Sequence, residues 1–192
     1  MVTGILGGSF NPIHFGHIEL ARQLLLKAGL DNIWFMVSPQ NPLKKAANLL
    51  DDQKRLEMVR AALEGETGLE ASDYELEMPK PSYTVDTLRS LRRDNPERRF
   101  VLLMGADNWL CFPLWHEGSA ILSLADIIIY PRKGFHVDVL SLPANVRLVD
   151  TPLYDVSSTM IRERISRGES IKGLVPERVE RIINREGLYK AQ

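Results

Sequence analysis

The stretch GGSFNPIHFGHIELA, residues 7–21, joins a short apolar run to the start of a helical pattern. VTGILGG, residues 2–8, reads as a short buried strand that runs into it. After it come apolar residues at helical spacing: Ile18, Ala21, Leu24, Leu25 and Ala28, with Gly29 as the stop. The junction is therefore a strand-to-helix turn. It holds two of the chain's four histidines, His14 and His17, one helical turn apart. Gly7 and Gly8 carry no Cβ, so a phosphate can approach the backbone closely. The helix start offers unpaired N–H groups and the positive end of the dipole. Asn11-Pro12 makes a pre-set bend, and Gly16 leaves room for a flat group between the histidines. A bare GG turn would need no function; a pair of imidazoles one turn apart beside it asks for one. The stretch fits neither the G-x-G-x-x-G dinucleotide pattern nor the G-x-x-x-x-G-K-[ST] phosphate loop.

Outward from this turn the pattern repeats. Strands are expected at residues 32–38, 69–78, 99–105, 126–132 and 145–150, that over 69–78 with one exposed face. Helices are expected at residues 52–65, with Leu56, Val59, Ala62 and Leu63 inward, and at 82–96, capped near Ser82 to Thr84. Two closing helices are expected at 157–169 and 176–187; Pro176 and Gly187 punctuate the second. Strand then helix, repeated, predicts an α/β fold: a doubly wound, Rossmann-like parallel sheet with closing C-terminal helices. No repeat, low-complexity segment or long linker divides residues 1–192, so a single domain is expected.

Composition narrows the partners. Lys and Arg total 24 against 25 Asp and Glu, a net charge of −1, so no global basic field argues for nucleic acid and any phosphate site is local. The single cysteine, Cys111, excludes a disulfide framework and a cysteine metal cluster. No window approaches the length of a membrane span. The start, MVTGILGG, lacks the basic and long apolar regions of a secretory signal, which points to the cytoplasm.

A second constellation lies near the other end. VSSTMIRERI places Ser157, Ser158 and Thr159 at a helix start and Arg162 one turn in. Hydroxyls, free N–H groups and a guanidinium fork suit the β- and γ-phosphates of a triphosphate. An ordinary N-cap with a surface arginine is the plainer alternative.

Together GGSFNPIHFGH and SSTMIR resemble the H-x-G-H and S-x-T-x-I-R motifs of the nucleotidylyltransferase superfamily. The resemblance implies nucleotidyl transfer. An oxygen attacks the α-phosphorus of a nucleoside triphosphate, pyrophosphate leaves, and His14 and His17 donate hydrogen bonds to phosphoryl oxygens as charge builds. PSYTVDTL, LMGADNWLCFPLWHE, YPRKG and INREGLY extend the likeness to the bacterial nicotinate-mononucleotide adenylyltransferase family, from Gly4 to Tyr189.

That likeness implies the remaining roles. ATP would meet Gly7, Gly8, Ser9, Phe10, His14, His17, Asp107, Arg132, Ser157, Ser158, Thr159 and Arg162. The acceptor would meet Lys44, Ser82, Tyr83, Thr84, Asp107, Trp115 and His116. Trp115 would stack on the pyridine, Asp107 would reach a ribose hydroxyl, and the helix start at Thr84 suits a carboxylate. Trp34 and Trp109 read as packing residues and His136 as a solvated loop residue.

The family's P-P-H-K segment is altered: Leu43 stands where the histidine would be, although Lys44 matches the lysine. Mg²⁺ is implied, held mainly by triphosphate oxygens and water; no His/Asp/Glu cluster suggests a protein ligand. The implied substrates are ATP and nicotinate mononucleotide. The alternative acceptors are nicotinamide mononucleotide and phosphopantetheine, although a pantetheine arm has no ring for Trp115. A nucleotide-binding regulator without turnover would be expected to lose a histidine or Arg162, and all three are present. An RNA-binding fragment would need a basic–aromatic stripe, which is missing. Whether the chain forms a homo-oligomer is left open by the sequence.

Overall fold

A computed structural model describes residues 1–39 and 49–190. Leu43 and Lys44 lie outside the described residues. Six strands form one all-parallel sheet: β1 (Val2–Gly8), β2 (Asn32–Val37), β3 (Leu69–Ser72), β4 (Arg99–Gly105), β5 (Asp126–Tyr130) and β6 (Val146–Leu148). Their order is β3-β2-β1-β4-β5-β6. The chain winds outward from β1 to β3, then returns to place β4 beside β1. This reversal opens a crevice at the carboxyl ends of β1 and β4, where such sheets bind ligands.

Helices cover both faces. They are α1 (Phe15–Ala28), α2 (Asp52–Leu63), α3 (Thr84–Asp94), α4 (Ala106–Leu110), α5 (Gly118–Leu124), α6 (Ser158–Ser166) and α7 (Glu177–Glu186). Alternate strand residues point to opposite faces. Leu6, Leu103 and Ile128 join Ile18, Leu56, Ile161 and Val179 in one core. Ile5, Leu102 and Ile127 join Val85, Leu88 and Ile121 in the other. Central strands buried on both faces must be apolar throughout, which is why RFVLLMG and DIIIY read as unbroken runs. Among the described residues no helix is long and apolar enough to cross a membrane.

Three local features differ from the sequence reading. The strand expected over residues 69–78 stops at Ser72 and gives way to a 3₁₀ turn, Tyr74–Glu77. Glu75 turns inward there, against hydroxyls of Ser38 and Thr87, and this tertiary contact overrides the alternating pattern. The stretch after β4, for which the sequence named no element, forms α4, a 3₁₀ turn at Phe112–Leu114 and α5. These pieces are too short to display a helical period. Finally, α3 has Tyr83 at its N-cap and no capping side chain. Neither Ser82 nor Thr84 caps it.

Candidate active site

The turn after β1 holds the histidines as a unit. His14 is the N-cap of α1 and His17 its third residue. Their rings stack with centroids 3.7 Å apart and planes 25° apart. The His14 backbone N–H donates to His17 Nδ1 at 3.3 Å. A neutral imidazole that accepts at Nδ1 carries its proton at Nε2, so the bond also sets which His17 atom is a donor. Gly16 permits the stack: a Cβ there would lie 2.7 Å from Val156 Cγ1 and 3.1 Å from His14 Nδ1. His14 is only 5% exposed. Burial, with the positive charge of Arg132 adding to it, holds its imidazole down at about 3, so the ring is neutral near pH 7. Phe10 is buried; its ring packs edge-on to His17 at 5.1 Å and against Phe35, bracing the pair from below.

The second motif folds directly onto this turn. Ser157 caps α6 by accepting from the Met160 N–H. Ser158 Oγ donates to the Pro12 carbonyl at 2.8 Å, and Arg162 Nη1 donates to the Asn11 carbonyl at 2.8 Å. Arg162 Nη2 also meets Thr159 Oγ1 at 3.2 Å. Two segments more than 140 residues apart thus share one hydrogen-bonded corner. Tyr189 closes it from the C-terminal side, its hydroxyl donating to Asn11 Oδ1 at 2.8 Å.

Asp107 and Arg132 sit at the ends of β4 and β5. Arg132 Nε lies 3.7 Å from Asp107 Oδ1, and its guanidinium rests 5.1 Å from the Tyr130 ring centroid. Gly105 makes this approach feasible, since a Cβ would stand 2.9 Å from Arg132 Nε. Three buried polar atoms of this region lack a hydrogen-bond partner among the described residues: His14 Nδ1, Asp107 Oδ1 and Trp115 Nε1. Buried polar atoms are normally paired; Trp34 Nε1 and Thr151 Oγ1 are unpaired in the same sense.

Beside the histidine turn lies a cavity of about 310 Å³. Gly7, Gly8 and Ser9 form one wall, Ser82, Tyr83 and Thr84 another, and Trp115 and His116 a third. Tyr83 and His116 stack loosely, with centroids 4.6 Å apart. Because α3 has no side-chain cap, its first N–H groups are presented where Thr84 meets the cavity. Leu114 and Met104 supply apolar surface. Of the expected contacts among the described residues, Phe10, His14, His17, Asp107, Arg132, Ser157, Ser158, Thr159 and Arg162 do not line this space. Among the described residues, no group of three or more His, Cys, Asp or Glu side chains could hold a metal.

Two residues of the site had no sequence signal. Arg55 is fully buried, although it lies in a helix whose other charges are ordinary. It donates to the carbonyls of Leu50, Ser9 and Ser38 and pairs with Asp52, so it ties the loop after β1 to the end of β2. Glu75 lines the cavity and is also buried, though a small part of it reaches solvent. Its only hint was one acid in an alternating stretch. Trp34 and Trp109 do pack in the second core, and His136 is exposed.

Comparison with known proteins agrees with this geometry. Residues 5–164 match the family described as cytidylyltransferase-like. The chain is 48% identical to a Bacteroides fragilis protein named "Probable nicotinate-nucleotide adenylyltransferase", over 88% of this chain and 85% of that one. It is 41% identical to a Flavobacterium johnsoniae protein of the same name, over 99% and 100% of the two chains. In fold it is similar to Plasmodium falciparum nicotinic acid mononucleotide adenylyltransferase complexed with NaAD, with a TM-score of 0.81 at 21% identity, covering 98% and 97%. The chain belongs to the cytidylyltransferase-like family and, within it, to the nicotinate-nucleotide adenylyltransferases.

Proposed function

We propose that this protein transfers the adenylyl group of ATP to nicotinate mononucleotide, giving deamido-NAD and pyrophosphate in NAD biosynthesis. The mononucleotide phosphate attacks the α-phosphorus, and the α–β bridging oxygen leaves with pyrophosphate. The observation that carries the reading is the joined corner. The stacked histidines and the start of α6 face one crevice, and a cavity with an aromatic wall and an uncapped helix start adjoins it.

In this reading the chain positions charge and forms no covalent bond. His17 Nε2–H and neutral His14 donate to phosphoryl oxygens as negative charge builds. Gly7, Gly8 and Ser9 offer backbone to the phosphates. Ser157, Ser158, Thr159 and Arg162 grip the β- and γ-phosphates. Asp107 and Arg132 meet the nucleotide at the ends of β4 and β5. Trp115 stacks on the pyridine, and the α3 start at Thr84, with Ser82, Tyr83 and His116 around it, receives the carboxylate. A divalent ion would arrive on the triphosphate oxygens. Mg²⁺, when bound, would neutralise triphosphate charge. The test is incubation with Mg-ATP and, separately, nicotinate mononucleotide, nicotinamide mononucleotide and phosphopantetheine. Pyrophosphate release is expected with the first acceptor; release with phosphopantetheine alone would overturn the assignment.

A further inference from the structure

Glu75 is an acid where the proposed acceptor is itself an anion. It lines the cavity, yet only 9% of it reaches solvent. Each carboxyl oxygen is engaged separately. Ser38 Oγ donates to Oε2 at 2.8 Å, and Thr87 Oγ1 donates to Oε1 at 2.9 Å. Burial pushes the Glu75 carboxyl above its ordinary range, against the pull of the two hydroxyls.

The two hydroxyls belong to different parts of the site. Thr87 is in the first turn of α3 and also approaches the Tyr83 carbonyl at 3.2 Å, at the uncapped end that faces the cavity. Ser38 follows β2. Its backbone N–H donates to the Gly8 carbonyl at 3.0 Å, and its own carbonyl accepts from Arg55 at 2.9 Å. Arg55 donates in turn to the Ser9 carbonyl at 2.7 Å. A buried chain therefore runs from the phosphate-side loop through Arg55 and Ser38 to Glu75, and ends on the helix start. The start of α3 has no capping side chain, so the Thr87–Glu75–Ser38 bridge is a polar tie at that end, added to the apolar packing of Val85 and Leu88.

We propose that Glu75 is a positioning residue for acceptor selection: by clamping Thr87 against Ser38 it holds the uncapped start of α3 in register with Gly8 and Ser9. This rests on the acceptor reading above. A helix start displaced by a fraction of an ångström would still admit the ring but would lose its fit to the carboxylate.

The test is steady-state kinetics of Glu75→Ala and Glu75→Gln with Mg-ATP and each pyridine mononucleotide. Glu75→Ala is expected to raise the KM for nicotinate mononucleotide by about tenfold and to cut the preference over the amide by a similar factor, while the KM for ATP stays within about twofold. Glu75→Gln, which can still bridge two hydroxyls, is expected to restore the preference to within about threefold of wild type. Thr87→Val removes one hydroxyl at constant shape and is expected to shift the preference in the same direction, deciding the matter if Glu75→Ala fails to fold. Equal rises in both KM values, or an unchanged preference in Glu75→Ala and Thr87→Val, would overturn the role of Glu75 alone. A wild-type protein that releases no pyrophosphate from either pyridine mononucleotide would overturn both this role and the function on which it rests.

Discussion

In the proposed reaction His17 would serve the transition state with a tautomer that its neighbour's backbone N–H already sets. A bond that strengthens only as phosphoryl charge develops affects kcat more than ground-state affinity. His17→Ala is therefore expected to lose roughly 10²–10³-fold in kcat. Calorimetric ATP affinity should change little. A variant with near-normal kcat and poor ATP binding would assign His17 to binding. His14 makes a different prediction, in stability. Its folded-state value lies near 3 against an ordinary 6.5. Between those values the unfolded chain takes up a proton that the folded chain refuses, so stability falls as pH drops through that window. The slope attributable to this one group reaches about 1.4 kcal/mol per pH unit. Urea unfolding of wild type and His14→Gln from pH 7 to pH 4 should show the wild type losing its advantage; parallel curves would mean that His14 titrates normally. The histidines were legible because their spacing is unusual in itself. Arg55 and Glu75 were not, since a buried charge has the same letter as a solvated one, and only the fold shows which carbonyls and hydroxyls surround it.

Between elements, the junction of α6 with the β1–α1 turn decides how the two motifs cooperate. The sequence view assigned Arg162 to the triphosphate alone. Its bond to the Asn11 carbonyl gives it a second task, holding the turn that carries the histidines. Arg162→Ala is thus expected to raise the KM for ATP and also to lower kcat, leaving the KM for the mononucleotide nearly unchanged. A rise in the mononucleotide KM as large as that for ATP would contradict a dedicated clamp. Arg55 offers a stability test at the same scale. Replacing it with Leu strands three buried carbonyls, while Asp52 keeps Lys80, at a cost of about 3–5 kcal/mol. At roughly 2–4 °C per kcal/mol for a chain of this size, the melting temperature should fall by about 6 °C or more. A fall of only a degree or two would mean that water replaces the guanidinium. Element identity was mostly written in periodicity. It failed where it was bound to fail: in β3, whose continuation is set by Glu75, and in the short helices after β4.

The whole molecule is a doubly wound sheet whose reversal between β1 and β4 gathers residues from both ends of the chain. That gathering was readable in outline, because strand–helix alternation dictates where a crevice must open. The pairing of the crevice with a cavity walled by α3 and the Trp115 loop is a tertiary fact with no local pattern. Its proposed consequence is selectivity for an acid over its amide. The two mononucleotides differ by one group and one charge, so apolar contact with the ring cannot separate them. Donors at the α3 start can: an amide would turn an NH₂ group toward them, leaving a buried donor unpaired at a cost of roughly 1–3 kcal/mol, beyond the lost charge-assisted bond. The decisive measurement is kcat/KM for nicotinate and nicotinamide mononucleotides with the wild-type enzyme at the same Mg-ATP. The account predicts a preference for nicotinate of at least about 10²-fold; values within about tenfold of each other would mean that the cavity does not read the carboxylate.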